Sequence, residues 1–473
     1  MAKGSAGGSG VRSFLGLALV VVIILAATNV WNPFPNMWEW VNRSQPLSEP
    51  DVIWQQRVGG SPKSVTIAGN AVVVEHRTTV EALSLEAGVR LWERKADWSA
   101  VAGGPEDPVV AVGKLLVKGY EVLDPRTGAV RRKDTRAVGV WTYHNGLLDV
   151  QCSDAKECTL RAWEPRGTAP IWTAFLPGVR AGLFADNPDV PGTRRLTTDQ
   201  VDGAAGGPDR MPPLIGFPVD GQVHIVDTAT GRVLHEAEPD HDDRLVVVGG
   251  RMLTIQARSE DGTCYFNLLG RDPANGQEVW RRSGVNLRTA DGAGCVQRED
   301  PQGGQHVVVG VGPDARETIL DTYDGRVLWT GDDDERLLAV DDRYALTRAP
   351  DRNSVNGYEL AVDRSRWNRP VHADGGAALT RYAAVIIDRE PDRIIALDPL
   401  TGRERLNLNS DAEVLAVGPA GLVIADGRDI GYIRYAGVVG DPAPPADGDA
   451  DPAGPAPADP GPTCGGPKQE QCR

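Results

Sequence analysis

Six cysteines fall in sequence order into three close pairs: Cys152 with Cys158, Cys264 with Cys295, and Cys464 with Cys472. Short loops favour pairing between neighbours, and an oxidising compartment favours disulfides over free thiols. Zinc would need a CxxC with a second pair or a nearby His, and QCSDAKEC has neither. Two acidic stretches, Pro239 to Asp243 and Asp332 to Glu335, are candidates for holding a cation or a basic partner, and equally for plain solvated connections. Asp447, Asp449 and Asp451 imitate the start of a calcium loop, but the glycine at its sixth position and the acidic residue at its twelfth are missing. The seven His are scattered, and no Gly-x-Ser-x-Gly, HExxH or P-loop occurs, so no catalytic residue and no metal ligand is assigned.

The elements that must carry these residues follow from composition. The 473 residues include 55 Gly and 35 Pro, helix-forming runs are scarce, and Val, Ile and Trp recur in short blocks between turn residues. That pattern predicts an all-β chain of many short strands. A net charge of -15 argues against a nucleic-acid partner, whose phosphates require clustered Lys and Arg. The pairs Arg131-Arg132 and Arg281-Arg282 sit on strands beside turns and read as solvated faces.

From Phe14 to Val30 there is no charged residue, and with its flanks the run approaches the roughly 20 residues of a membrane-spanning helix. Lys3 and Arg12 precede it, which places the N-terminus in the cytoplasm and the rest outside. Trp31, Phe34, Trp38 and Trp40 fit an aromatic belt at the outer interface. The alternative is a cleaved signal peptide at Ala26-Ala27-Thr28; the length of the apolar run and the absence of a clean A-x-A site favour an uncleaved anchor. After Val439 a Pro/Ala/Asp/Gly run cannot bury a core and reads as a disordered tail. The chain therefore divides into a cytoplasmic N-terminus (1–12), a transmembrane helix (13–31), a juxtamembrane linker (32–51), a folded region (52–437) and the tail (438–473).

The folded region repeats. Turn glycines recur at Gly88, Gly128, Gly167, Gly231, Gly276, Gly325 and Gly402, with a degenerate copy near Arg366, at intervals of roughly 36 to 49 residues and one of 64 that holds an insertion. In Asp398-Pro399-Leu400-Thr401-Gly402 the Pro fixes φ, the Asp bonds amides ahead of it, and the Gly supplies positive φ. The apolar run before each turn is a strand buried on both sides, and the run after it is an outer strand. A Trp recurs four residues past the glycine at Trp92, Trp280 and Trp329, with Trp172 one residue later and Trp54 in an equivalent outer strand. Its fixed register predicts structural docking between units, with the N–H reaching a carbonyl. His235 occupies the same register after Gly231.

The unit apolar-x-Ala/Val-Leu-Asp-Pro-x-Thr-Gly-x-x-x-Trp, best matched by Leu123 to Gly128, Leu397 to Gly402 and Val226 to Gly231, resembles the pyrroloquinoline quinone (PQQ) type β-propeller repeat. The resemblance covers residues 52 to 437 and implies about eight four-stranded blades, within a range of seven to nine. Val52 to Gly60 resembles an outer strand without its blade and Ala412 to Tyr435 a blade without its outer strand, which together close the ring. In the quinoprotein dehydrogenases of similar fold, the quinone is held over the axis by calcium, a Trp and a disulfide between adjacent cysteines. This chain has no Cys-Cys pair, so no cofactor is expected, with PQQ and calcium as the alternative. Similar propellers in outer-membrane assembly bind proteins; where such a component carries a lipobox cysteine, this chain has the hydrophobic segment.

The composition, rich in Ala, Gly, Asp and Arg and poor in Lys, resembles that of a high-GC bacterium, and an actinobacterial origin is expected. The function expected is a non-catalytic scaffold, single-pass in the cell membrane, presenting an extracytoplasmic propeller to protein partners. Alternatives are a membrane-bound PQQ-dependent oxidoreductase and a cell-surface ligand sensor, and propellers host all three. Thiol labelling of the unreduced, denatured protein is expected to find no free cysteine; two or more labelled sites would refute the pairing.

Overall fold

The computed structural model describes residues 52–436, apart from 116, 154–156, 177–205, 220–221, 238–244, 293, 298, 300 and 363. The proposed membrane segment, Cys464, Cys472, the Asp447 to Asp451 run, the tail and the stretch Pro239 to Asp243 lie outside the described residues. Among the described residues no helix is long and apolar enough to cross a membrane.

Nine antiparallel sheets follow one another along the chain and form a nine-bladed propeller. Blades one to three span 64–94, 98–134 and 137–176; blades four to six span 214–237, 245–283 and 302–330; blades seven and eight span 336–370 and 376–409. Blade nine joins Glu413–Val417, Gly421–Asp426 and Asp429–Arg434 to the outer strand Val52–Arg57, which comes from the other end of the folded region. Eight blades show four strands, and blade four shows three among the described residues.

The expected count of eight is thus corrected to nine. The degenerate copy near Arg366 is a blade of its own, whose third turn is the 3-10 segment Leu360–Val362 in place of a glycine turn. Because the Gly231 turn is a third turn, the three described strands of blade four are its second to fourth, and residues 206–213 lead into the second strand at the position of a first turn, within the stretch where the sequence carries its insertion.

Each glycine turn has the same build. The Gly402 N–H donates to the Asp398 carbonyl at 2.9 Å and the Asp398 N–H to the Arg403 carbonyl at 2.9 Å, with Gly402 at a φ of 66° and a register shift beside it. The Asp398 carboxylate accepts from the Thr401 amide and hydroxyl, both at 2.9 Å. Gly88, Gly128, Gly231, Gly276 and Gly325 repeat the amide bond and the positive φ. Gly167 does not: its N–H donates to the Glu164 carbonyl three residues back, and its φ is ordinary.

Outer strands dock on the turn of the following blade. Trp54 packs on Gly88 and donates to the Leu85 carbonyl at 2.7 Å; Trp92 packs on Gly128 and donates to Pro125 at 2.8 Å. Trp172 does the same with Gly231 and Thr228, and Trp280 with Gly325 and Thr322. Trp329 is buried edge-on to Tyr358 of blade seven, where the following turn has no glycine. Trp367, absent from the sequence-based set, docks on Gly402 and donates to Pro399 at 2.9 Å.

The meander gives the ring two unlike faces. One carries the first and third turns of every blade; the opposite face carries the second turns and the connections between blades. Gly402→Ala is expected to lower stability by about 2 kcal/mol, because a left-handed backbone costs an L-residue about 1–2 kcal/mol and the new Cβ would press on the Trp367 ring. A denaturation midpoint equal to wild type would show that this docking contact contributes nothing.

Candidate functional site

Both disulfides found among the described residues lie on the face of second turns and connections. Cys152 and Cys158 tie the facing ends of the second and third strands of blade three, with Cα atoms 4.0 Å apart. Cys264, in the hairpin of blade five, is joined across 31 residues to Cys295 in the connection to blade six. That hairpin is the longest in the ring, Arg251–Glu260 against Thr263–Arg271, and turns through Asp261 and Gly262 at positive φ. Its outer end is polar and open, with Tyr265 half exposed and Arg258 beside the ring.

The Cys264–Cys295 bond braces an unusual connection. The first strand of blade six is only Gln302–Gly303, and the position beyond it is filled by Asn286, which exchanges both backbone bonds with Val311 at 2.8 and 3.0 Å. Val285, Leu287 and Ala290 of the same segment are buried in the core of blade five.

Asp332 to Glu335 forms one wall of a cleft of about 620 Å³ between blades six and seven on this face. Six carboxylates line it (Asp314, Glu317, Asp332, Asp333, Asp334, Glu335) against three guanidiniums (Arg288, Arg316, Arg336), an excess of three negative charges. Their duties differ. Glu335 is buried and accepts from Thr347 Oγ1 at 2.5 Å, Tyr358 Oη at 3.2 Å, Asn356 Nδ2 at 3.3 Å and the Asp332 amide at 3.1 Å. Burial together with the Glu335 carboxylate pushes the Tyr358 phenol up to about 12. Glu317 accepts the Leu337 amide at 2.6 Å, and Asp333 pairs with Arg316 at 2.6 Å. Asp332 and Asp334 remain exposed at the rim. Two carboxylates thus shape the cleft and the others colour its mouth negative. That suits lysine or arginine side chains of a partner.

No cluster of three or more metal-ligating side chains that could hold an ion occurs among the described residues. Neither disulfide joins adjacent cysteines, so the residues present do not supply the cover that a quinone over the axis would require. The His residues are not gathered into a site: His76 bonds Glu81 at 2.8 Å, His235 packs near Gly276, and His372 lies near Glu390.

Sequence reasoning missed a buried polar group between blades two and three. Asp149 is fully buried, and its carboxylate accepts from Tyr120 Oη at 2.7 Å, Trp163 Nε1 at 2.8 Å and Arg161 Nε at 2.8 Å. Arg161 continues to Asp134 at 2.8 Å, and Arg132 lies over the Trp163 ring at 4.0 Å. Burial raises the Asp149 carboxyl against the lowering effects of Tyr120 and Arg161, and burial with the Asp149 charge raises the Tyr120 phenol. The signal available was an Asp inside the apolar run Gly146-Leu147-Leu148-Asp149-Val150. Asp149→Ala is expected to cost about 3–5 kcal/mol, because it strands two buried donors and the half-buried Arg161, and Asp149→Asn to cost less. Equal urea midpoints for wild type and both variants would refute a structural role.

The sequence pattern of a family described as outer membrane protein assembly factor BamB matches residues 159–407. No curated protein matches the chain. Among solved structures, BamB from Moraxella catarrhalis is 14% identical, with 81% of this chain and 99% of that chain covered at a TM-score of 0.36. A quinohemoprotein alcohol dehydrogenase from Pseudomonas putida is 12% identical, with 83% and 77% covered and a TM-score of 0.37. A eukaryotic initiation factor is 10% identical, with 80% and 91% covered and a TM-score of 0.42. These three likenesses lend nothing to the functional argument.

Proposed function

The chain belongs to the family described as outer membrane protein assembly factor BamB, and from that premise we propose that it is a non-catalytic binding propeller that holds protein partners at a membrane surface. Residues 13–31 anchor it, with the propeller on the extracytoplasmic side where its disulfides persist. The supporting observation is the concentration of features on one face. Two disulfides, the longest hairpin and the acidic cleft all lie among the second turns and connections. Loops stiffened before contact lose less entropy on binding. The excess negative charge of the cleft selects a basic partner surface and speeds its approach.

A mild-detergent pull-down of the tagged full-length protein, with mass spectrometry and an absorbance spectrum of the same eluate, tests the proposal. A stoichiometric protein partner in a colourless eluate is expected, and Asp332→Lys with Asp334→Lys should release it while leaving the melting temperature unchanged. A quinone spectrum with no partner would overturn the scaffold in favour of an oxidoreductase.

A further inference from the structure

The outer strand of a propeller blade is a sheet edge, and charged side chains on such an edge keep it from pairing with another chain. Seven of the nine outer strands contain at least one Asp, Glu, Lys or Arg. Val327–Thr330 has none, but it is four residues long and closely bounded by Arg326 and Asp332. Blade three differs from all of these. Its outer strand Pro170–Leu176, PIWTAFL, runs for seven residues without a charge.

The side chains of this strand divide between two sides. Trp172 packs on Gly231, and Ala174 and Leu176 are buried in the core of the blade. Ile171, Thr173 and Phe175 are exposed, Ile171 by 56% and Phe175 by 55%. The ladder to the inner strand is regular from Trp172 to Leu176, and its register shifts at Ile171. Across that ladder Phe175 lies beside Thr159 and Thr173 beside Arg161, whose guanidinium is tied to Asp134 and Asp149. Among the described residues nothing pairs with the outer side of the strand.

The pattern is complementary to itself. An antiparallel pair formed by two copies about a two-fold axis at Thr173 sets Thr173 opposite Thr173, and Phe175 of each copy opposite Ile171 of the other. Thr opposite Thr, and an aromatic opposite a β-branched residue, are favoured cross-strand pairs. Charge decides where two copies can meet. Each carries a net charge of -15 and repels the other, so close approach needs an edge that bears no charge of its own. Such pairing is isologous: it consumes both edges and stops at two chains.

We propose that Pro170–Leu176 is a pairing edge through which two copies of this chain join, blade three to blade three, in a symmetric dimer. The contact lies on the rim, apart from the acidic cleft between blades six and seven, so either can fail without the other. Seven residues give an edge about 24 Å long. That is a narrow contact beside the roughly 800 Å² per partner of a standard interface, and the dimer is accordingly weak and concentration-dependent.

Sedimentation of the full-length protein in mild detergent, over a wide range of concentration, is expected to show a monomer passing to a dimer. Thr173→Glu sets like charges opposite each other and should weaken the dimer by about tenfold, with the melting temperature unchanged because Thr173 is exposed. Mixing that variant with Thr173→Lys should restore pairing. Under mild oxidation Thr173→Cys is expected to give a disulfide-linked dimer, while Ser283→Cys, exposed on the outer strand of blade five, stays at the wild-type background. Phe175→Cys should cross-link most strongly when mixed with Ile171→Cys, which reads the register. A monomer at every concentration would overturn the pairing edge, in which case the strand belongs to an unlike chain. A Thr173→Cys chain no more cross-linked than Ser283→Cys would overturn it as well.

Discussion

The ring depends on a contact made between blades rather than within them: an outer-strand side chain of one blade lies on the third turn of the next. The contact works because the receiving turn lacks a Cβ, and at two junctions both surfaces do. Trp367 is slotted between Gly357, its own cross-strand partner, and Gly402 of blade eight, and Trp280 likewise between Gly270 and Gly325. The indole N–H then satisfies a turn carbonyl that would otherwise face the junction. The positive φ of the turn glycine therefore serves two ends at once. It closes the hairpin, and it leaves the flat patch on which the neighbouring ring can lie.

Where the Trp is missing, the junction is rebuilt in another chemistry. Arg132 takes the register after Gly128 and donates to the Gly167 carbonyl at 3.0 Å, and its guanidinium stacks on Trp163. A cation at this depth calls for anions, and Asp149 and Asp134 with Arg161 form the balanced group beneath it. The altered turn at Gly167 belongs to the same substitution, because a turn that receives a guanidinium need not present the flat patch that an indole requires. At the blade-eight outer strand Leu406 takes the register instead, next to the split blade that closes the ring.

The fold was legible because it is repetitive. Asp-Pro-x-Thr-Gly announces a turn by local chemistry, and the Trp register announces a junction, so both could be read from a few residues. Trp367 escaped because its own blade turns at Leu360–Val362 without glycine, which removed the marker of its register; the count of eight came from the resemblance, since the turns and the split blade already add up to nine. The neighbour pairing of Cys264 with Cys295 was equally legible from loop length. What that bond braces was not, since Asn286 substitutes for a strand only because the strand of blade six is two residues long. The acidic stretch Asp332 to Glu335 could be placed in a connection, but its division into buried Glu335 and exposed Asp332 and Asp334 depends on Thr347, Asn356 and Tyr358, which are remote in sequence.

The two faces answer different demands. On the face of first and third turns, carbonyls of residues 206–213 are matched to donors from blades three, four, six and eight, so their hydrogen-bonding capacity is met by the chain itself. On the opposite face the second turn of blade three and the connection between blades five and six are cross-linked, and the cleft mouth is negatively charged. Hydrogen-bonding capacity already satisfied within the chain is a poor basis for recruiting a partner, whereas open charge on a braced frame is a good one. The asymmetry therefore arises from the same meander that builds the blades, because first and third turns fall on one face and second turns and connections on the other.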